Sequence, residues 1–273
     1  MSITMATQTK YYLHAVAPGS SRRLHRAGFF LICRWLAVGA ILFGILSPAL
    51  ANPPLLFPEK TARIALDPGH GGRDYGARGP TGLLEKEVCL ELAHKLALRL
   101  ESLYQVTLTR SDDYQVELKQ RAAIANQADA DLMISLHTGA GFVHSARGIS
   151  IYYHADTSQS IPAGDLPRSG DANARQQWER TQTRHQSASL ALATVLKKYL
   201  DQDPDSPGCS IHGAPLMVLE GADMPAVLIE IGHITHPATE AKLADPQNRE
   251  WLTEQIFNGI QTFLSEQIRF HAQ

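Results

Sequence analysis

The chain has 273 residues, 44% of them hydrophobic and 19% charged, with 25 basic side chains against 27 acidic ones. That composition excludes a collagen-like or low-complexity chain and belongs to a globular protein long enough for a full core. The near-neutral balance gives no electrostatic case for binding nucleic acid.

Residues 1–51 carry no Asp or Glu but hold Lys10, Arg22, Arg23, Arg26 and Arg34. An apolar run from Trp35 to Leu46 follows, then Ser47-Pro48-Ala49-Leu50-Ala51. A basic start, a short apolar core and an Ala-x-Ala end read as a cleavable export signal. The run is short for a bilayer span, which needs about 20 apolar residues. Arg22-Arg23 leaves a twin-arginine route open beside the Sec route. Cleavage after Ala51 leaves 222 residues with 20 basic against 27 acidic side chains. The expectation is a periplasmic or secreted, mildly acidic monomer with no membrane attachment once the signal is gone. Cys89 and Cys209 remain in the mature chain. Their pairing is left open, because a disulfide needs a distance that sequence does not supply.

Residues 52–62 form a Pro-rich lead-in, and the folded domain is expected over 63–268. Arg63 to Leu66 is a short apolar strand running into a glycine-rich turn. Val88, Leu92, Leu96 and Leu100 recur every four residues and predict an amphipathic helix over 86–103. A strand is predicted over 106–109, a helix over 116–128, a buried strand over 132–136 and another strand over 148–154. Residues 155–186 break the rhythm and read as a long insertion with one helix near 174–183. Leu190, Ala193, Leu196 and Leu200 mark a further helix. Strands are predicted over 216–219 and 226–231, and a closing helix over 249–268. Strands and helices alternate, which predicts one α/β domain with a mostly parallel central sheet of about six strands flanked by helices.

Three predicted strand ends carry chemistry: Asp67-Pro68-Gly69-His70-Gly71-Gly72, Ser135-Leu136-His137 and Glu230-Ile231-Gly232. In open α/β sheets, sites gather where the strands end in their carboxyl termini. Glu85 opens the first helix after a loop containing Gly76, Gly79 and Gly82, which can turn that carboxylate back over the sheet. Two imidazoles and one carboxylate form a zinc set that leaves one position open. A second carboxylate is then needed as acid and base. Glu85 and Glu230 are the two on offer, and the reaction class implied is metal-assisted hydrolysis.

These segments resemble the zinc-dependent N-acetylmuramoyl-L-alanine amidases of bacterial cell walls. The resemblance runs from about Arg63 to Phe263. It rests on Leu66-Asp67-Pro68-Gly69-His70-Gly71-Gly72, Gly82-Leu83-Leu84-Glu85-Lys86, Leu108-Thr109-Arg110, Arg121-Ala122-Ala123-Ile124-Ala125-Asn126, Ser135-Leu136-His137 and Pro225-Ala226-Val227-Leu228-Ile229-Glu230-Ile231-Gly232. It implies that His70, Glu85 and His137 bind one Zn2+ and that Glu230 is the catalytic acid/base. The bond cut would join N-acetylmuramic acid to the L-alanine of a peptidoglycan stem peptide, and a protein activator is a further expectation. Some relatives carry a helix that covers the metal, so Glu179, on the helix expected in the insertion, is a candidate autoinhibitory contact; His185 is a weaker one.

The chain departs from the family pattern at Thr138-Gly139-Ala140, at Glu220 and at Gly232-His233-Ile234-Thr235-His236. These changes bear on substrate contacts more than on the four chemical positions. His233 and His236 read as packing and loop residues, not as a second metal site. Two rival functions stay open: a wall-binding protein that has lost catalysis, and a zinc peptidase acting within the stem peptide.

Overall fold

Alternation along the strands builds the sheet. The computed structural model describes residues 62–139, 147–155, 172–203 and 207–271, and gives the backbone alone for 172–180 and 268–271. The expected export signal and residues 156–171 of the expected insertion lie outside these residues. All described residues fall in one compact unit, Phe57–Gln273. In β1 (Arg63–Pro68), Ile64 and Leu66 face one side and Ala65 the other. The same alternation runs through β3 (Leu132–Gly139) and β6 (Ala226–His233), which are buried on both faces. β2 (Gln105–Leu108), β4 (Ile149–His154) and β5 (Cys209–Ala214) complete a six-stranded sheet in the order β2-β1-β3-β6-β4-β5. The first four strands in that order are parallel. β4 runs antiparallel to β6, and β5 is parallel to β4. The α/β domain with a mostly parallel sheet is therefore as expected.

One face is covered by α1 (Glu85–Leu100), α3 (Ala172–Leu200) and α5 (Pro246–His271). Leu92, Leu96 and Leu100 of α1 and Leu192, Leu196 and Leu200 of α3 are fully buried in this layer. Each such leucine contributes about 1.5–3 kcal/mol relative to an exposed one. The other face packs Ala122 and Ala125 of α2 (Leu118–Gln127) and the apolar residues of the 218–224 turn against Ala65, Met133 and Ala226. A short helix, α4 (Pro237–Ala244), follows β6.

Three details differ from the pattern reading. The apolar run Leu216 to Leu219 is a turn that buries Val218 and Leu219 in the second core, not a strand. The strand is Cys209–Ala214, an edge strand whose Ser, His and Gly residues hide its alternation. The two helices expected on either side of residue 186 are one continuous helix, α3. Cys89 and Cys209 are free, the first on α1 and the second on the sheet's edge strand. Burial pushes both thiols up, Cys209 to about 11.

Candidate metal centre

His70 leaves β1 in a backbone conformation that L-residues avoid, with φ at 62°. Such a conformation costs about 1–3 kcal/mol and persists only where the surroundings impose it. Two buried arginines impose it here. Arg110 donates to the carbonyls of Pro68 (3.0 Å), Gly69 (2.7 Å) and Lys86 (2.8 Å). Arg121 donates to Pro68 O (2.8 Å) and His70 O (2.9 Å) and pairs with Asp67 at 2.8 Å. Asp67, fully buried, also accepts from Thr109 Oγ1 (2.5 Å) and Ser135 Oγ (2.6 Å). The carbonyls of the His70 loop thus end on fixed cations.

Glu85 is the first residue of α1, where an anion is favoured by the helix dipole. Its Oε2 accepts from Ala77 N at 2.7 Å, and Oε1 accepts from Thr138 N at 2.9 Å. The same Oε1 stands 3.0 Å from His70 Nε2 and 3.1 Å from His137 Nδ1. Burial acts to raise this carboxyl, but His137 and His70 outweigh it and hold it down at about 2. Gly76, at φ 65°, makes the approach feasible: a Cβ there would lie 2.6 Å from both Glu85 Oε2 and His70 Cδ2.

His137 is near the end of β3, and its ring is packed so closely over Gly69 that a Cβ on that glycine would sit 2.4 Å from Cε1. The two imidazoles meet edge to face with centroids 4.9 Å apart. Burial would lower His70, but Glu85 and Asp74 raise it. His70 Nδ1 lies 2.9 Å from Asp74 Oδ1, without the alignment of a hydrogen bond.

Donor atoms of His70, Glu85 and His137 all lie within 4.8 Å of one another, so this group can hold a metal ion. Ligands about 2.0–2.1 Å from a tetrahedral ion stand about 3.3 Å apart, close to the two spacings found here. Two imidazoles and a carboxylate also suit Zn2+ chemically. Among the described residues, four buried side-chain atoms lack a hydrogen-bond partner: His70 Nδ1, Thr138 Oγ1, His233 Nδ1 and His236 Nδ1. Of these, His70 Nδ1 belongs to the group and Thr138 adjoins it, while His233 and His236 lie at and beyond the end of β6.

Glu230 lies beside the group, because β3 and β6 pair His137 with Glu230 in register. Burial raises its carboxyl above the ordinary value; His137 and His70 pull the other way, while Glu85 adds to the rise. The register then slips, so that Gly139 faces His233. A Cβ on Gly139 would fall 2.2 Å from Glu230 Oε2 and 2.5 Å from His233 Nδ1. His233 therefore crowds the same backbone point as Glu230, a closeness its reading as a packing residue had not anticipated.

Glu179 belongs to α3, and its side chain lies outside the described residues. Gln182, three residues on, is fully buried and donates to Ala222 O (2.9 Å) and Met224 O (2.7 Å), just before β6 begins. His185 pairs with Asp223 at 2.9 Å in the same place, at the far end of β6 from Glu230. Arg110, Arg121 and Asp67 were legible only as pieces of recurring motifs. Nothing in their spacing announces that they hold the His70 loop.

The sequence profile of the family described as N-acetylmuramoyl-L-alanine amidase matches residues 64–262. The chain is 31% identical over 221 residues to N-acetylmuramoyl-L-alanine amidase AmiC of Neisseria meningitidis serogroup B, covering 75% of this chain and 53% of that protein. It is 28% identical over 241 residues to AmiC of Escherichia coli O6:H1, covering 80% and 57%. The chain thus spans little more than half the length of these relatives. Its fold superposes on N-acetylmuramoyl-L-alanine amidase AmiC2 of Nostoc punctiforme with a TM-score of 0.59 at 29% identity, covering 75% of this chain and 97% of that one. The catalytic domain of CwlV from Bacillus (Paenibacillus) polymyxa var. colistinus gives 0.59 at 28% identity, covering 75% and 98%.

Proposed function

The chain belongs to the N-acetylmuramoyl-L-alanine amidase family, and on that premise we propose that it hydrolyses the amide between N-acetylmuramic acid and the L-alanine of peptidoglycan stem peptides. The observation that carries this reading is the sharing of one Glu85 oxygen by two imidazoles, with Glu230 in register beside one of them. His70, Glu85 and His137 would hold a single Zn2+. When bound, such an ion polarises a carbonyl and brings the pKa of a water from about 15.7 to near 7.

The protein's own groups do the rest. Glu85, held low by the two imidazoles, would serve as the anionic ligand. Glu230 takes a proton from the attacking water and delivers it to the nitrogen of the departing L-alanine, so one carboxyl acts first as base and then as acid. Its raised pKa suits both halves of that task. Arg110 and Arg121 keep the His70 loop in its unfavourable conformation while charge is redistributed nearby. The substrate places the protein in the periplasm or outside the cell, in wall remodelling or daughter-cell separation. No helix among the described residues is long and apolar enough to cross a membrane.

Digestion of purified peptidoglycan followed by mass spectrometry tests the proposal. Amidase action gives free L-alanine amino ends and unsubstituted glycan. Shortened stems would instead identify a peptidase, and an unchanged wall would identify a binding protein.

A further inference from the structure

Glu240, on α4, is a buried acid that no Lys, Arg or His pairs with among the described residues. Its exposure is only 2%. A buried carboxylate is costly unless hydrogen bonds replace its hydration. All of its partners come from one turn, some 160 residues earlier in the chain. Thr81 N donates to both carboxylate oxygens, at 3.0 and 2.9 Å, and Thr81 Oγ1 donates to Oε1 at 2.8 Å. Leu83 N adds a further bond to Oε1 at 3.2 Å. Burial works to raise this carboxyl, but the bonds from Thr81 and Leu83 prevail and hold it below the usual carboxylate range. The fit is tight, since a Cβ on Gly79 would sit 2.1 Å from Oε1.

That turn is the lead into Glu85. It closes on itself through Gly82 N to Gly79 O (3.0 Å) and Gly79 N to Leu83 O (2.9 Å). One leg ends at Ala77, whose N–H donates to Glu85 Oε2 and whose carbonyl accepts from Glu85 N at 3.0 Å. The other leg ends at Glu85 itself. Shifting the turn therefore moves the carboxylate relative to His70 and His137. α4, for its part, follows directly on β6, the strand that carries Glu230.

We propose that Glu240 is a positioning residue for the metal group: its carboxylate fixes the Gly79–Leu83 turn and so sets where Glu85 stands between the two imidazoles. The proposal rests on the reading of His70, Glu85 and His137 as the metal ligands. Partners behind a metal ligand typically contribute 10- to 100-fold in affinity.

The test is the Zn2+ affinity of the full chain, measured by competition with a chromophoric chelator. Glu240→Gln keeps the side chain's size but turns an N–H donor toward the donors of the turn. It is expected to weaken Zn2+ binding by about tenfold or more. Thr81→Val removes only the hydroxyl bond and is expected to weaken it by a smaller factor. Lys242→Ala breaks the pairing of α4 with Asp203 (2.9 Å) but leaves the turn untouched, and should bind Zn2+ as the unsubstituted chain does. Affinity in Glu240→Gln within twofold of the original overturns the proposal. So does an equal loss in Lys242→Ala, which would make the effect a general loosening of α4. If Glu240→Gln does not fold, Thr81→Val decides: weaker binding supports the role, and unchanged binding removes it. A failure of the metal reading looks different, because the unsubstituted chain would then take up no Zn2+ at all.

Discussion

Glu230 stands directly across from His137, because the two residues are register partners on adjacent parallel strands. Side chains opposite each other in a sheet share a face. A one-residue slip would turn one of them into the opposite core, so the hydrophobic pattern of β6 also enforces this juxtaposition. Val227, Ile229 and Ile231 go to the α1 side, and Glu230 must go to the other.

Replacing the acid without touching the ligands separates the two roles. Glu230→Gln should retain one equivalent of Zn2+ while lowering the rate of stem-peptide release by about 10²- to 10⁴-fold, the usual worth of a general acid–base group. Metal content by atomic emission, alongside a digest of purified wall, checks this. A variant that still turns over normally removes Glu230 from the mechanism.

The same substitution has a signature in stability. A carboxyl whose folded pKa is raised binds its proton more tightly when folded. Its contribution is fully present below the ordinary carboxylate value and is lost as pH rises through the raised folded value. At neutral pH the ionised Glu230 is thus a burden on the fold. Metal-free Glu230→Gln should melt higher than the metal-free original at pH 7, with the gap closing in acid. Thermal scans at several pH values measure it; a gap that widens on acidification contradicts the assignment.

Metal removal should act on stability as well as on rate. An ion that binds only the folded state adds about 2.7 kcal/mol at a hundred times its dissociation constant. Chelation is expected to lower the melting temperature of the original chain and to leave that of His137→Ala unmoved. Calorimetry with and without chelator reads both.

The His70 loop offers a fourth check. Arg121→Met strips Asp67 of its cation and leaves the carbonyls of Pro68, His70 and Val116 without that donor. Removing one partner of a buried pair costs about 3–5 kcal/mol. The urea midpoint should fall accordingly, and Zn2+ affinity should fall with it, because His70 would be free to leave its strained conformation. A stable variant with full affinity shows that the arginine is dispensable.

The sequence alone goes far here, and it stops for physical reasons. The grouping of His70, Glu85 and His137, with Glu230 beside them, was legible because each was expected at a strand end or helix start, where local pattern and position coincide. The helices α1 and α5 were legible because their apolar residues recur with helical period. Arg110 and Arg121 were not, since a buried arginine looks like a surface one until its carbonyl partners, tens of residues away, are brought to it. Glu240 was hidden in the same way. α4 is too short to show a period, and β5 lies at an edge, where burial does not enforce alternation.

The reversal of β4 has one more outcome. Tyr153 pairs with Val227, so β4 ends beside the beginning of β6, and Gln182 anchors α3 at that same margin. Ala155, whose N–H donates to Ala214 O just after β4 ends, therefore lies on the rim opposite the histidines. Chain added directly after Ala155 would begin about four strand residues, about 13 Å, from Glu230 along β6.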